Sequence, residues 1–431
     1  MIRRLVVLAS LSLLGCKGSK SPADTRFGVG SVTLELGRDG HGLRGVAGDA
    51  GGVYTALTTF EVSPHSLVEA RRDGKTAWTT PLDGTAGPVV RSGELLAVAL
   101  GNTGTAVGIA LRGSPGAVLV GLDASAGAIA WKLAIDSSEW SLITSLAAID
   151  GGVLVGGSFS GTLRAADKLV SSAGKLDGFV ARVDAKGHVV WLIRVGGANA
   201  DAVTGVAAAG ERIAFTGTFA TGAELQGEPL VATDDKSPTT DVFVAELDGK
   251  GMRMWSASFG GTRDDSSAGV AIDGRGRLAV AATIRDHVKV DVVDHLVNGP
   301  SDGLLVYFDA KGAPGAAIPL GGEALDGLTA ITAAGDRIVV GRFYAGSLKI
   351  GTQTITANGD DAFLAAFDGA TVTGVWDVAG AGREEIAALS PVSNGFIAGI
   401  GHTAAAKVDG QPLASPKDPA SGAGVVVRGV R

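Results

Sequence analysis

Four acidic residues, Asp201, Asp265, Asp326 and Glu385, recur at matching places just ahead of short Gly- and Ala-rich apolar runs. Carboxylates repeated around a common axis concentrate negative potential and suit a hard cation such as Ca2+, or an amine. The same residue type just as readily accepts hydrogen bonds from loop amides, which is the structural alternative. Histidine is the other residue type with chemistry to offer. Asp286-His287 and Asp294-His295 form a local cluster, making His287 and His295 the candidates for a metal, although neither has metal-ligand spacing to a partner. Gly-x-Ser-x-Gly, His-Glu-x-x-His, a phosphate-binding glycine loop and an EF-hand loop are all missing, so no catalytic residue is assigned.

The elements that position these residues are short strands. Asp177 to Phe219 reads as DGFVARVD, HVVWLIRVG, AVTGVAAAG and RIAFTGTF, joined by Asp-Ala-Lys-Gly, Gly-Gly and Gly-Glu turns. Alternation and short apolar blocks predict strands, and no helical period is sustained. One such copy has two apolar faces and needs neighbours. A tryptophan four residues after a turn glycine marks the register at Trp78, Trp131, Trp191 and Trp255; the later slots hold Ala316 and Trp376. Successive slots lie 53, 60, 64, 61 and 60 residues apart, and that period overrides a domain count from length. Each of these tryptophans is read as a packing residue between neighbouring copies.

Taking Gly-Val-Ala as the innermost strand gives blades at 41–83, 87–135, 142–196, 202–260, 267–321, 327–380 and 384–430. The last is one strand short, and Gly30 to Gly37 matches the missing outer strand. The expectation is all-β: a seven-bladed β-propeller of four-stranded antiparallel blades, one domain over 30–431, closed by an N-terminal strand. The stretches Gly196-Gly197-Ala-Asn-Ala-Asp201, Gly260-Gly261-Thr-Arg-Asp-Asp265 and Gly321-Gly322-Glu-Ala-Leu-Asp326, with this spacing, resemble the bacterial SBBP family of β-propeller repeats across 142–380. That resemblance implies a structural module of exported and surface proteins and transfers no catalytic residue.

The amino terminus points to the same compartment. Arg3 and Arg4, an apolar run from Leu5 to Leu14, and Leu13-Leu14-Gly15-Cys16 predict a signal peptide over 1–15. Its end resembles a bacterial lipobox, which implies lipidation of Cys16, the only cysteine in the chain, with a tether over 16–29. Lys17, rather than aspartate, after the lipid site favours the outer membrane. Without Arg3 and Arg4, 35 basic residues stand against 44 acidic ones, so nucleic acid is not an expected partner.

Connections between second and third strands are long from the third blade onward, and they emerge on one face. Their apolar residues, Leu348 with Ile350 and Ile355, Leu225 with Leu230, and Val290 with Leu296, predict rim hairpins. The expected function is a lipid-anchored, monomeric, noncatalytic scaffold that binds an envelope protein or glycan through that face, without a cofactor. The alternative is a propeller enzyme, either a glycan hydrolase or lyase or a quinoprotein-like dehydrogenase. Asp123-Ala-Ser-Ala-Gly-Ala-Ile-Ala-Trp131 is similar to the tryptophan-docking stretch of quinoproteins.

Overall fold

Tight turns set the frame. Asp184 Oδ1 accepts hydrogen bonds from the backbone N–H of Lys186 at 2.9 Å and of His188 at 2.8 Å, and Asp248 and Asp309 hold their turns in the same way. The glycines that follow, Gly187, Gly251 and Gly312, have φ of 85°, 83° and 84°, where an L side chain is strained.

The computed structural model describes residues 28–35, 41–49, 51–59, 65–233, 239–393, 395–413 and 423–430; Cys16 and most of the tether lie outside them. Within the described residues the chain is all-β, with no helix. Strands pair consecutively into four-stranded antiparallel units, such as Trp140–Ile149, Gly152–Ser160, Asp177–Asp184 and Val189–Gly196. The inner strands are His41–Gly48, Thr85–Ser92, Trp140–Ile149, Ala202–Ala209, Ser266–Ile272, Ala330–Ala334 and Glu384–Val392. They touch one another in that order, and Glu384–Val392 touches His41–Gly48. All of them line one central cavity of ≈ 570 Å³. The unit begun by Glu384–Val392 takes its fourth strand from the other end of the chain: Gly28–Glu35 pairs with Ala423–Val430, Gly28 lying opposite Val430. That is two residues ahead of the sequence-based bounds.

Most inner strands bend at a bulge, where register shifts between Leu43 and Gly45, Ile143 and Ser145, Val203 and Gly205, and Ser267 and Gly269. Side chains at the bulge tie neighbours together. Thr144 Oγ1 donates to the Val203 carbonyl at 2.7 Å, and Val206 N–H donates to Ser145 Oγ at 3.1 Å.

At the outer end the tryptophans couple each unit to the next. The indole N–H of Trp78 donates to Ala124 O at 3.2 Å, that of Trp131 to Ala185 O at 2.9 Å and that of Trp191 to Gly249 O at 3.3 Å. Each ring lies over the turn glycine of the following unit, Gly127, Gly187 or Gly251, so that a Cβ there would overlap the indole; Trp255 covers Gly312 likewise. Glycine is therefore required by its φ and by the packing. Trp255 also stacks on Phe308 at 6.3 Å, and Trp376 packs against Phe396 at 5.8 Å.

Candidate functional site

The Gly-Gly-x-x-x-Asp stretches form clips between units. The first glycine, Gly196, Gly260 or Gly321, leaves space that a Cβ would fill and that the carboxylate of Asp177, Asp241 or Asp302 occupies. The second, Gly197, Gly261 or Gly322, lies against a backbone carbonyl of the next unit, that of Gly222, His287 or Ser347. The closing aspartate starts the next inner strand. Asp201 accepts from Gly197 N–H at 2.7 Å and Ala220 N–H at 2.8 Å, and Asp265 Oδ1 accepts from Arg285 N–H at 2.9 Å. Each clip thus buries two carboxylates near one another, Asp177 with Asp201, Asp241 with Asp265, Asp302 with Asp326. Of the two expectations for these aspartates, a cation or amine site and acceptors of loop N–H groups, the hydrogen bonds of Asp201 and Asp265 match the second. Asp201, Asp265 and Asp326 sit at successive junctions, and none lines the central cavity.

Glu385 is a correction. Its side chain is half exposed, lies over Gly401 and comes within 4.0 Å of Arg383, whereas Glu384 is fully buried beside Asp361 and fills the space over Gly380. The other clips place the acid five residues after the first glycine, which from Gly380 selects position 385. Here the crossover is one residue shorter, and the extra methylene of glutamate spans the difference.

Burial, reinforced by the facing carboxylate, pushes Asp265 up to about 7, Asp326 to about 6 and Glu384 to about 7, and raises Asp201. In the unfolded chain these groups titrate near 4. A folded pKa above the unfolded one adds stability below the unfolded pKa, and this is lost as pH rises through the folded value. Calorimetry is therefore expected to show a melting temperature about 2–5 °C higher at pH 5.5 than at pH 8. Asp265→Asn should flatten part of that slope; a melting temperature independent of pH across this window would contradict the buried pairs.

The long connections form hairpins that extend the outer strand of the preceding unit. Val195 pairs with Leu225, Gly260 with Lys289, Leu320 with Ile350 and Val378 with Val408. Leu225, Leu230, Val290, Leu348 and Ile350 are buried beneath them, but Leu296 is 79% exposed and does not pack with Val290 as expected. His287 and His295 occupy one hairpin, paired with Leu296 and Val288 respectively. Strand alternation puts the two imidazoles on opposite faces, so the fold does not bring them together as ligands. Among the described residues no group of three or more His, Cys, Asp or Glu side chains is placed to hold a metal.

Sequence reasoning passed over two arginines at the same end. Arg285 and Arg342 line a cavity of ≈ 360 Å³ between the units that begin at Ser266 and Ala330. The available signal was an arginine interrupting an otherwise apolar second strand, RIVVGRFY.

No family model matches the chain. The Regulatory protein FlaEY of Caulobacter vibrioides is 25% identical over 191 residues, which cover 42% of this chain and 20% of that protein. The chain thus spans about a fifth of that relative's length. Among solved structures it is similar to the quinohemoprotein alcohol dehydrogenase from Comamonas testosteroni, at TM-score 0.37 and 13% identity, over 90% of this chain and 76% of the other. It is also similar to the β-propeller domain of the Trilobed protease from Pyrococcus furiosus, at TM-score 0.36 and 10% identity, over 78% and 96%. An acylaminoacyl peptidase from Pyrococcus horikoshii gives TM-score 0.46 and 12% identity, over 86% and 51%. At these scores the solved structures carry no argument about the chemistry of this chain.

Proposed function

We propose that the chain is a seven-bladed β-propeller of the SBBP-repeat kind, closed by Gly28–Glu35 and held to the bacterial envelope by a lipid on Cys16. It serves as a noncatalytic scaffold that binds an envelope protein or a surface glycan through its loop-rich end. The observation that carries this reading is the inequality of the two ends. Antiparallel pairing puts the tight turns at one end and the hairpins at the other, and the hairpin end carries exposed Val292 and Leu296, both 79% exposed.

The test is co-precipitation from envelope extract with the full chain, a Val292→Asp/Leu296→Asp variant at the loop-rich end and a Met252→Asp variant at the plain end. Recovery of one specific partner, lost with the first variant and kept with the second, is expected. Recovery of nothing specific, or equal recovery by all three chains, overturns the proposal.

A further inference from the structure

One register position breaks the repeat. The second-strand residue paired just ahead of the inner-strand bulge is Leu57, Leu100, Gly157, Gly217, Ala282 or Ile400 in the other units, always uncharged and buried. In the unit of Ala330–Ala334 it is Arg342, which pairs with Phe363 as Gly157 pairs with Phe179 and Gly217 with Phe243. The inner strand there is cut short, its pairing beginning only at Ala330 opposite Gly341. Gly327 makes the room, because a Cβ on it would collide with Arg342 Nη1 and Thr283 Oγ1. A cation thus stands where the fold elsewhere places a small or apolar residue. Such a residue costs stability unless it is paired and hydrogen-bonded, and residues of this kind concentrate at functional sites.

The guanidinium is only partly satisfied. Arg342 Nη1 donates to Thr283 Oγ1 at 3.2 Å, its Cζ lies 4.5 Å from the Phe343 ring centroid, and its buried Nε–H has no hydrogen-bond partner. No ion pair joins it to a carboxylate among the described residues; Asp326 is the acidic group near enough to act on it, and Arg285 is near enough to repel it. Arg285 is held by its own donation to Asp264 O at 2.7 Å. Both arginines line the ≈ 360 Å³ cavity together with Ser266, Thr329, Leu325 and Leu328.

We infer that this cavity binds a hydroxylated carboxylate, either a free hydroxy acid or a uronate residue of a glycan, with the carboxylate between Arg342 and Arg285. A planar two-oxygen anion matches the guanidinium fork. With Asp326 offsetting part of the charge, a monoanion suits the site better than a phosphate dianion. Ser266 and Thr329 face the hydroxyls of the ligand, and Leu325 and Leu328 face its carbon skeleton. The inference rests on the reading of the loop-rich end as the binding end.

Calorimetric titration of the full chain at pH 7 tests it with methyl glucuronoside, lactate, methyl glucoside and inorganic phosphate. At least one of the two acids is expected to bind, while the neutral glucoside does not. Arg342→Leu, which places here the leucine found at Leu57 and Leu100, is expected to weaken that acid by about ten-fold or more with no loss of melting temperature. Arg285→Gln supplies a second variant should the first fail to fold. A glucuronoside bound more tightly than lactate supports the glycan source, and the reverse order supports a free acid. No binding of either acid, unchanged affinity in both variants, or phosphate bound as tightly as the better acid overturns the inference. Absence of acid binding by the unaltered chain with partner recovery intact overturns this inference alone; failed partner recovery with acid binding intact overturns the scaffold reading alone.

Discussion

A chain lacking residues 1–39 is expected to be far less stable and to self-associate. It loses the strand Gly28–Glu35, and with it the partner of Ala423–Val430. A strand of this length contributes ladder hydrogen bonds worth about 0.5–1.5 kcal/mol each, so the loss amounts to several kcal/mol. The exposed edge of Ala423–Val430 then presents unpaired N–H and C=O groups, a template for pairing with another copy. Sedimentation and thermal melting of the truncated chain check both effects. A synthetic peptide spanning residues 28–37, added in excess, should reverse the added association and restore part of the melting temperature. Unchanged melting after truncation would mean that closure does not depend on this strand.

Gly217→Ala is the second large effect. Gly217 lies beneath the inner strand Ala202–Ala209, and a Cβ on it would fall within the Ala202 carbonyl oxygen; the ring of Phe243 closes the other side at 2.8 Å. The backbone carbonyl has nowhere to retreat, because the strand is paired on one side and packed against its neighbours on the other. Overpacking of this kind is expected to cost about 3 kcal/mol. Gly315→Ala is the control, since the nearest atom to its Cβ would be Tyr307 O at 3.7 Å, and it should shift stability by no more than about 0.5 kcal/mol. Chemical denaturation of the two variants side by side decides the matter. Equal midpoints would remove the steric account of the second-strand glycines.

The frame of the molecule was legible because it is written in local chemistry. Asp184, Gly187 and Trp191 lie within eight positions of one another, and each has a turn or packing reason readable from its type. What the sequence concealed depends on contacts between units. That Trp131 covers Gly187 rather than its own turn glycine, Gly127, needs the neighbouring unit to be in place. The same holds for Asp177, whose facing carboxylate is 24 positions away in Asp201. Glu384 was missed because counting by a fixed spacing ignores a shortened crossover and a longer side chain. His287 and His295 looked like a cluster in one dimension, and the hairpin separates them by strand alternation. Arg342 shows its meaning only when the second strands are aligned by their pairing.

Ala423–Val430 runs away from the hairpin end, so Val430 and its partner Gly28 lie at the end of the tight turns. Any tether upstream of Gly28 therefore leaves the molecule there. For a chain held through such a tether, the short turns would be the end nearer the attachment point, and the hairpins with the Arg342 cavity the farther end. Which end lies nearer the attachment point would then follow from the strand that completes the last unit.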